Sequence, residues 1–348
     1  MGLRFNWKSI SEREDALSFN DVLLVPKKLE MRSRRDPDLK TKFTKKISLD
    51  IPLVSSNMDT VTEWEMAKSM NDLGGVGILH RFISVDQQVE QIKRLVEFGV
   101  DRISASIGVN PDWEERARKL VDAGCNVLTI DIAHGHAVSM IEVMEGIKKT
   151  FKEVEIVAGN IATPEAARDL INAGADAVKV GIGPGSMCTT RIITGCGVPQ
   201  LTAIATCAEV TREMGVPLIA DGGVKTSGDI VKALAAGADC VMLGSLLSGT
   251  IESPGEIRSG KKLYRGMASK SAQENWRGGV PEGMAAEGES HWVPVKGHVS
   301  DVINELTGGL RSGMTYINAA EIDEIRQKAE FMKMSAAGFS ESRAHGLV

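Results

Sequence analysis

The apolar positions of the chain gather into eight short runs, beginning near Ile51, Gly75, Arg102, Val127, Glu155, Ala177, Pro217 and Cys240. Each run is too short for a helix and too continuously apolar for a strand with one wet face. Parallel strands buried on both faces read this way. Amphipathic stretches separate the runs and predict helices over Asp86–Phe98, Trp113–Ala123, Pro164–Ala173 and Ser227–Ala236. Thr163 suits an N-cap and Pro164 the first helical position after it.

A phrase repeats within this pattern. Ala173-Gly174-Ala175-Asp176-Ala177-Val178 returns as Ala236-Gly237-Ala238-Asp239-Cys240-Val241, with a weaker copy at Ala123-Gly124-Cys125-Asn126. In each copy a helix ends on a glycine and a buried strand begins at once. Eight repeated βα units predict a single α/β domain over residues 1–348, a (β/α)8 TIM barrel with an N-terminal extension. An open α/β sheet is the other architecture this pattern allows.

Most strand starts lie 22 to 28 residues apart, but Ala177 and Pro217 are separated by 40. The surplus is a glycine-rich loop over residues 181–200, after the sixth strand. A second surplus over residues 253–296, after the eighth strand, is polar and weakly periodic. It predicts a flap or an inserted hairpin. In such a barrel the chemistry sits at the C-terminal ends of the strands. The loop Gly181-Ile182-Gly183-Pro184-Gly185-Ser186-Met187-Cys188-Thr189-Thr190-Arg191 therefore sets a cysteine above the barrel, where a thiolate can attack. A tight loop with an incidental cysteine is the bland alternative. Cys125, Cys207 and Cys240 fall in helical or strand contexts, where a buried and inert thiol is the expectation.

Asp221-Gly222-Gly223 and Gly244-Ser245 end the seventh and eighth strands, the usual phosphate site of this fold. Ser186 and Ser245 can each add a hydroxyl, and Asp221 can accept from a ribose diol. Asp131-Ile132-Ala133-His134-Gly135-His136 ends the fourth strand, and its histidine pair reads as polar lining because no third metal ligand is convincingly spaced. His80 and Arg81 end the second strand. No Gly-x-Gly-x-x-Gly joins a strand to a helix, so a Rossmann cofactor domain is not supported.

Net charge is −5, which argues against general nucleic-acid coating. No apolar run approaches the ~18 residues of a membrane span. The N-terminus has neither a signal-peptide core nor a myristoylation motif. Five scattered cysteines fit a reducing, cytoplasmic setting better than a disulfide framework.

Several motifs together carry a specific resemblance. The cysteine loop continuing to Gly197-Val198-Pro199-Gln200-Leu201 resembles the catalytic loop of the IMP dehydrogenase/GMP reductase family. So do Asn57-Met58-Asp59-Thr60, Ile219-Ala220-Asp221-Gly222-Gly223, Val241-Met242-Leu243-Gly244-Ser245 and Tyr264-Arg265-Gly266-Met267, all in family order. The resemblance implies a barrel on which Cys188 attacks C2 of a purine monophosphate, GMP or IMP, and a nicotinamide cofactor exchanges hydride with that carbon. It further implies a homotetramer and a potassium ion held at Gly183, Gly185, Cys188 and Arg191. The nucleotide would meet Ser186, Asp221, Gly222, Gly223, Gly244, Ser245, Gly266, Met267, Ala268 and Gly288. The cofactor would meet Ser33, Arg34, Arg81, Asp131, Ile132, Ala133, Ile182, Gly183, Ser312, Gly313, Met314 and Thr315.

Two activities share that scaffold. The dehydrogenase uses an Arg-Tyr pair in its flap, but here neither Tyr264 nor Tyr316 follows an arginine. Ile78-Leu79-His80-Arg81-Phe82 also runs through one helix into Ile103-Ser104-Ala105-Ser106, with no room for the regulatory nucleotide-binding insert most dehydrogenases carry. Thr190 matches the family's reductase threonine, and Glu287, in Ala286-Glu287-Gly288, matches its flap glutamate. Asp131-Ile132-Ala133-His134-Gly135 and Asn57 are reductase-like as well. Gly338-Phe339-Ser340-Glu341-Ser342-Arg343-Ala344-His345, Gly309–Met314 and Pro281-Glu282-Gly283 look more like the dehydrogenase. The expectation is NADPH-dependent reduction of GMP to IMP and ammonia, with Cys188, Thr190 and Glu287 catalytic. Arg34 and Arg81 are cations suited to the 2′-phosphate of NADPH. The rivals are a dehydrogenase without its insert and a purine-nucleotide sensor without turnover.

Overall fold

A computed structural model describes residues 4–342 and Ala344. The N-terminal Met1–Leu3, weighed above for a leader or lipid signal, and Arg343 and His345 of the tail lie outside the described residues.

Eight parallel strands close into a barrel. In chain order they are β1 (Leu53–Ser55), β2 (Val76–Leu79), β3 (Ser104–Ile107), β4 (Val127–Asp131), β5 (Glu155–Ile161), β6 (Ala177–Val180), β7 (Leu218–Asp221) and β8 (Cys240–Leu243). Each pairs with its neighbour in sequence, and β8 closes on β1 through Val241–Leu53 and Met242–Val54. All eight apolar runs thus become barrel strands. The intervening helices are α1 (Trp64–Asp72), α2 (Val85–Glu97), α3 (Trp113–Asp122), α4 (Val138–Thr150), α5 (Pro164–Asn172), α6 (Gln200–Glu213), α7 (Ser227–Ala235) and α8 (Val299–Tyr316). Thr163 caps α5 by accepting from Ala166 N–H, with Pro164 in the first turn.

The repeated phrase has a physical cause. Asp176 opens β6 and accepts the backbone N–H of Ile156 on the strand beside it, 2.8 Å away. Asp239 does the same for Leu218 N–H at 2.8 Å. In the weaker copy Asn126 Oδ1 accepts from Ile103 N–H at 3.0 Å. Each copy satisfies a backbone amide at the start of the preceding strand. The two carboxylates also carry a cation, Lys148 on Asp176 and Arg212 on Asp239. The neutral Asn126 needs none.

Inside the barrel Val54, Val76, Ile78, Val127, Val157, Ala177, Ile219 and Met242 pack with Phe43 and Leu49. The last two come from a short hairpin in the N-terminal extension, Thr41–Lys42 paired with Ser48–Leu49. Thr41 Oγ1 donates to Asp239 O at the start of β8, so this hairpin plugs the N-terminal mouth. The interior is therefore a packed core, and only the C-terminal mouth is left for chemistry.

The stretch after β8 is a two-stranded hairpin, Lys261–Arg265 against Ser290–Pro294, with a helix over Lys270–Arg277 between its strands. Among the described residues no helix is long and apolar enough to cross a membrane.

Candidate active site

Cys188 stands above the barrel on the loop that leaves β6. Gly181 begins that loop where a Cβ would lie 1.9 Å from Asp221 O, so only glycine lets the chain pass β7 this closely. Gly183 turns at φ +85°, with Arg191 against it. The Arg191 guanidinium then ties the two ends of the loop by donating to Val198 O at 2.6 Å and Ile182 O at 3.4 Å. Residues Thr190–Thr194 form a one-turn helix within the stretch the sequence predicts as loop, closed by Gly195 at φ +73°.

The flap lies antiparallel on this loop. Glu289 N–H donates to Met187 O at 2.8 Å, and Thr189 N–H donates to Glu287 O at 3.3 Å. Gly266 and Gly288 both face Met187 O, where a Cβ would approach to 3.0 and 3.1 Å. Their lack of a side chain lets three segments meet. Met267 and Ala268 continue from there; Ala268 O accepts Glu287 N–H at 2.9 Å, and Met267 Sδ accepts Asp59 N–H. Asp59 grips Arg265 through Oδ2 at 2.5 Å, which anchors the flap hairpin on the segment after β1.

This register delivers a chain of three side chains. The Cys188 thiol donates to Thr190 Oγ1 at 3.1 Å, and Thr190 Oγ1–H donates to Glu287 Oε2 at 2.8 Å. The thiol is thus one hydroxyl away from a carboxylate that can take its proton. The other cysteines differ. Burial pushes the thiols of Cys125 and Cys207 up to about 12, and that of Cys240 well above its ordinary value. Cys196 is exposed.

Around Cys188 the strand ends meet at a residue that sequence reasoning missed. Lys179, in the middle of β6, is 1 % exposed. Its Nζ donates to Asp131 Oδ1 at 2.8 Å, to Asp221 Oδ2 at 2.8 Å, and to Asn160 Oδ1. Asn160 in turn donates to Asp221 Oδ2 at 2.9 Å and Gly181 O at 2.8 Å. Burial alone opposes the ammonium charge, but the two carboxylates outweigh it and hold the lysine charged above its usual range. Burial likewise opposes the Asp131 charge, and Lys179, Arg81 and Asn57 together hold that carboxyl below its ordinary value. A lysine within Ala177-Val178-Lys179-Val180 was the available signal, because a charge in a doubly buried strand needs partners.

Ser186 shares a hydrogen bond with Tyr264 of the flap hairpin, 3.1 Å apart, and Tyr264 also crowds Gly244. Gly222 and Gly223 turn at φ +97° and +83° behind Asp221. Ser245 O accepts from Lys296 Nζ at 2.6 Å. Arg81 Nε donates to Asp131 O at 3.3 Å. Arg81 also lines a cavity of about 550 Å3 shared with Trp113, Arg116 and Trp276 of the flap helix; Ile132 and Ala133, which follow β4, are not among its lining residues.

The remaining expected cofactor residues form a separate group. Ser312, Gly313, Met314 and Thr315 lie in the last turns of α8, where Gly313 abuts Val231 of α7. Met314 and Thr315 are buried. Arg34 stacks over Tyr316 at 5.7 Å, and Ser33 caps a turn at Asp36 and Arg35. Barrel helices run antiparallel to the strands, so this group sits toward the plugged mouth. Among the described residues no hydrogen bond or ion pair joins this group to Cys188, Thr190 or Glu287.

The sequence model described as the IMP dehydrogenase / GMP reductase domain matches residues 16–345. The fold and this match define a barrel oxidoreductase of purine metabolism. The chain belongs to the IMP dehydrogenase/GMP reductase family. It is similar to proteins named inosine-5′-monophosphate dehydrogenase from several organisms. The one from Cryptosporidium parvum is 41% identical over 382 residues, covering 94% of this chain and 94% of that protein. The one from Borreliella burgdorferi is 38% identical over 393 residues, covering 95% and 97%. The one from Nitrosopumilus maritimus is 36% identical over 473 residues, covering 97% and 99%. That last alignment is longer than this 348-residue chain, so that relative carries segments with no counterpart here.

Proposed function

We propose that the protein is a GMP reductase: GMP + NADPH + H+ gives IMP, NADP+ and ammonia. The observation that carries this reading is the bonded series Cys188–Thr190–Glu287. The thiol proton passes through the Thr190 hydroxyl to Glu287, and the thiolate adds to C2 of the purine. Glu287 returns that proton through Thr190 to the C2 amino group, which departs as ammonia. A thioimidate between Cys188 and C2 remains, and the thiol proton has ended on the leaving group. Bound NADPH supplies hydride to C2, after which Cys188 leaves as thiolate and takes up one proton from water. The flap covering the cysteine loop keeps water from the thioimidate.

The residues suit the two groups this chemistry calls on. A potassium ion would be held by backbone carbonyls of Gly183, Gly185 and Cys188, hard oxygen donors on a glycine-bounded loop. Arg191 would contribute there through its carbonyl, since its guanidinium is engaged in closing the loop. A nicotinamide cofactor fits the cavity at Arg81, where Trp276 Nε1 is buried without an acceptor. Ser33, Arg34, Ser312 and Gly313 reach a cofactor only from a neighbouring copy, which accords with a homotetramer, whereas Met314 and Thr315 are buried and would shape that surface from beneath. Ile192, Ile193 and Met284, exposed on the cysteine loop and flap, supply apolar surface for such an assembly. The free cysteines suit the cytoplasm.

The names of the similar proteins favour a second reading, IMP dehydrogenase acting on IMP and NAD+ to form XMP. That reaction needs a hydrolytic base at the thioimidate, and the flap lacks the Arg-Tyr pair the family uses for it. Purified protein with GMP and NADPH, and separately with IMP and NAD+, distinguishes the two by the direction of the change at 340 nm.

A further inference from the structure

Lys179 is one buried cation serving two carboxylates that belong to different sides of the site. Asp221 ends β7 behind the glycines expected to hold the nucleotide, and Asp131 ends β4 beside Arg81. No other cation lies within ion-pair distance of either carboxylate among the described residues. The bonded triad therefore sets two carboxylates on one ammonium. The groups facing it are Asn160 from β5, Asn57 from the segment after β1, Arg81 from the segment after β2 and Tyr264 from the flap hairpin. Of these only Arg81 is charged at neutral pH.

We propose that Lys179 is a positioning residue that couples the nucleotide and cofactor subsites by dividing one charge between Asp221 and Asp131. Its ammonium fixes both carboxylates as ionised acceptors for ligand hydroxyl groups. A change at one carboxylate redistributes that charge onto the other. The placement of the two ligands rests on the family reading, but not on the choice between reductase and dehydrogenase, because IMP belongs to both reactions. The raised lysine and lowered Asp131 titrations agree with an ionised Lys179–Asp131 pair.

Calorimetric titration with IMP tests this without turnover. Asp131→Asn removes a carboxylate on the cofactor side only. Lys179 then serves Asp221 alone and makes it a poorer acceptor, so IMP binding should weaken by about three- to tenfold. Lys179→Met should weaken IMP binding by about 10- to 100-fold, the range for a lost charged hydrogen bond. It should also introduce a pH dependence between about pH 5 and 8, as the unpaired carboxylates begin to share a proton. Lys179→Arg should restore a flat profile. An Asp131→Asn protein that binds IMP within twofold of wild type overturns the coupling, and it does so even if Lys179→Met fails to fold. Wild-type protein that bound no IMP would overturn the placement of the nucleotide at Asp221 and the coupling with it.

Discussion

At the residue scale the chemistry reduces to one thiol and the path its proton takes. Five cysteines are present, and three are held by burial in the unreactive thiol form. Iodoacetamide at pH 8 should label Cys188 and exposed Cys196 and spare Cys125, Cys207 and Cys240. GMP should protect Cys188 alone, as peptide mapping would show; labelling of Cys125 or Cys207 in folded protein would contradict the burial argument. Glu287→Gln keeps the flap's shape and removes the proton acceptor. It should slow deamination of GMP by about 10²–10⁴-fold, the usual range for a general acid–base group. The hydride step from IMP to oxidised cofactor should suffer less, since no amine leaves. Pre-steady-state rates of the two half-reactions decide this, and equal losses would reduce Glu287 to a flap contact. Cys188 could be named from its glycine-rich loop, and Thr190 and Glu287 from the family resemblance of their motifs. Lys179 could not, because its partners arrive from β4, β5 and β7, and only the closed barrel brings them to one atom.

At the element scale the barrel was legible because each βα unit states its own boundaries. The Ala-Gly-Ala-Asp phrase marks a helix end and a strand start, and the structure shows why the last position is Asp or Asn: it accepts an amide at the start of the strand beside it. Asp239→Ala should leave Leu218 N–H buried without an acceptor and cost about 1–3 kcal/mol. Asp239→Asn keeps an acceptor, as Asn126 does naturally, and should cost less. Urea denaturation of the two variants checks the order, and the reverse order would refute the capping role. Less legible was the flap. Its polar stretch predicts a hairpin, but the helix at Lys270–Arg277 and the pairing of residues 287–289 with the cysteine loop depend on contacts far apart in sequence. The one-turn helix at Thr190–Thr194 is set by its Gly195 terminus and is too short to show a period.

At the scale of the whole molecule, one mouth of the barrel is plugged and the other carries the charge cluster, so stability and function meet at Lys179. The folded lysine titrates above its ordinary 10.5, so its contribution is complete below that value and is lost as pH rises through the folded one. Folded Asp131 titrates below its ordinary 3.8, so its contribution is present above 3.8 and is lost as pH falls through the folded value. Between those limits Lys179 and Asp131 should add nothing to the pH dependence of wild-type stability. Lys179→Met should lose about 3–5 kcal/mol at pH 7, as expected for a broken buried ion pair. The deficit should shrink toward pH 5 as the stranded carboxylates protonate. Denaturant unfolding at the two pH values measures it, and a deficit independent of pH would assign the loss to packing.

The central claim is that the Cys188–Thr190–Glu287 series removes an amine from C2 rather than adding water to it. The most direct measurement mixes the protein with GMP and NADPH, or with IMP and NAD+, and follows both absorbance at 340 nm and the purine product by chromatography. The account predicts NADPH consumption with stoichiometric IMP and ammonia from the first mixture, and little XMP from the second. Robust XMP formation from IMP and NAD+, with GMP left unreduced, would contradict it.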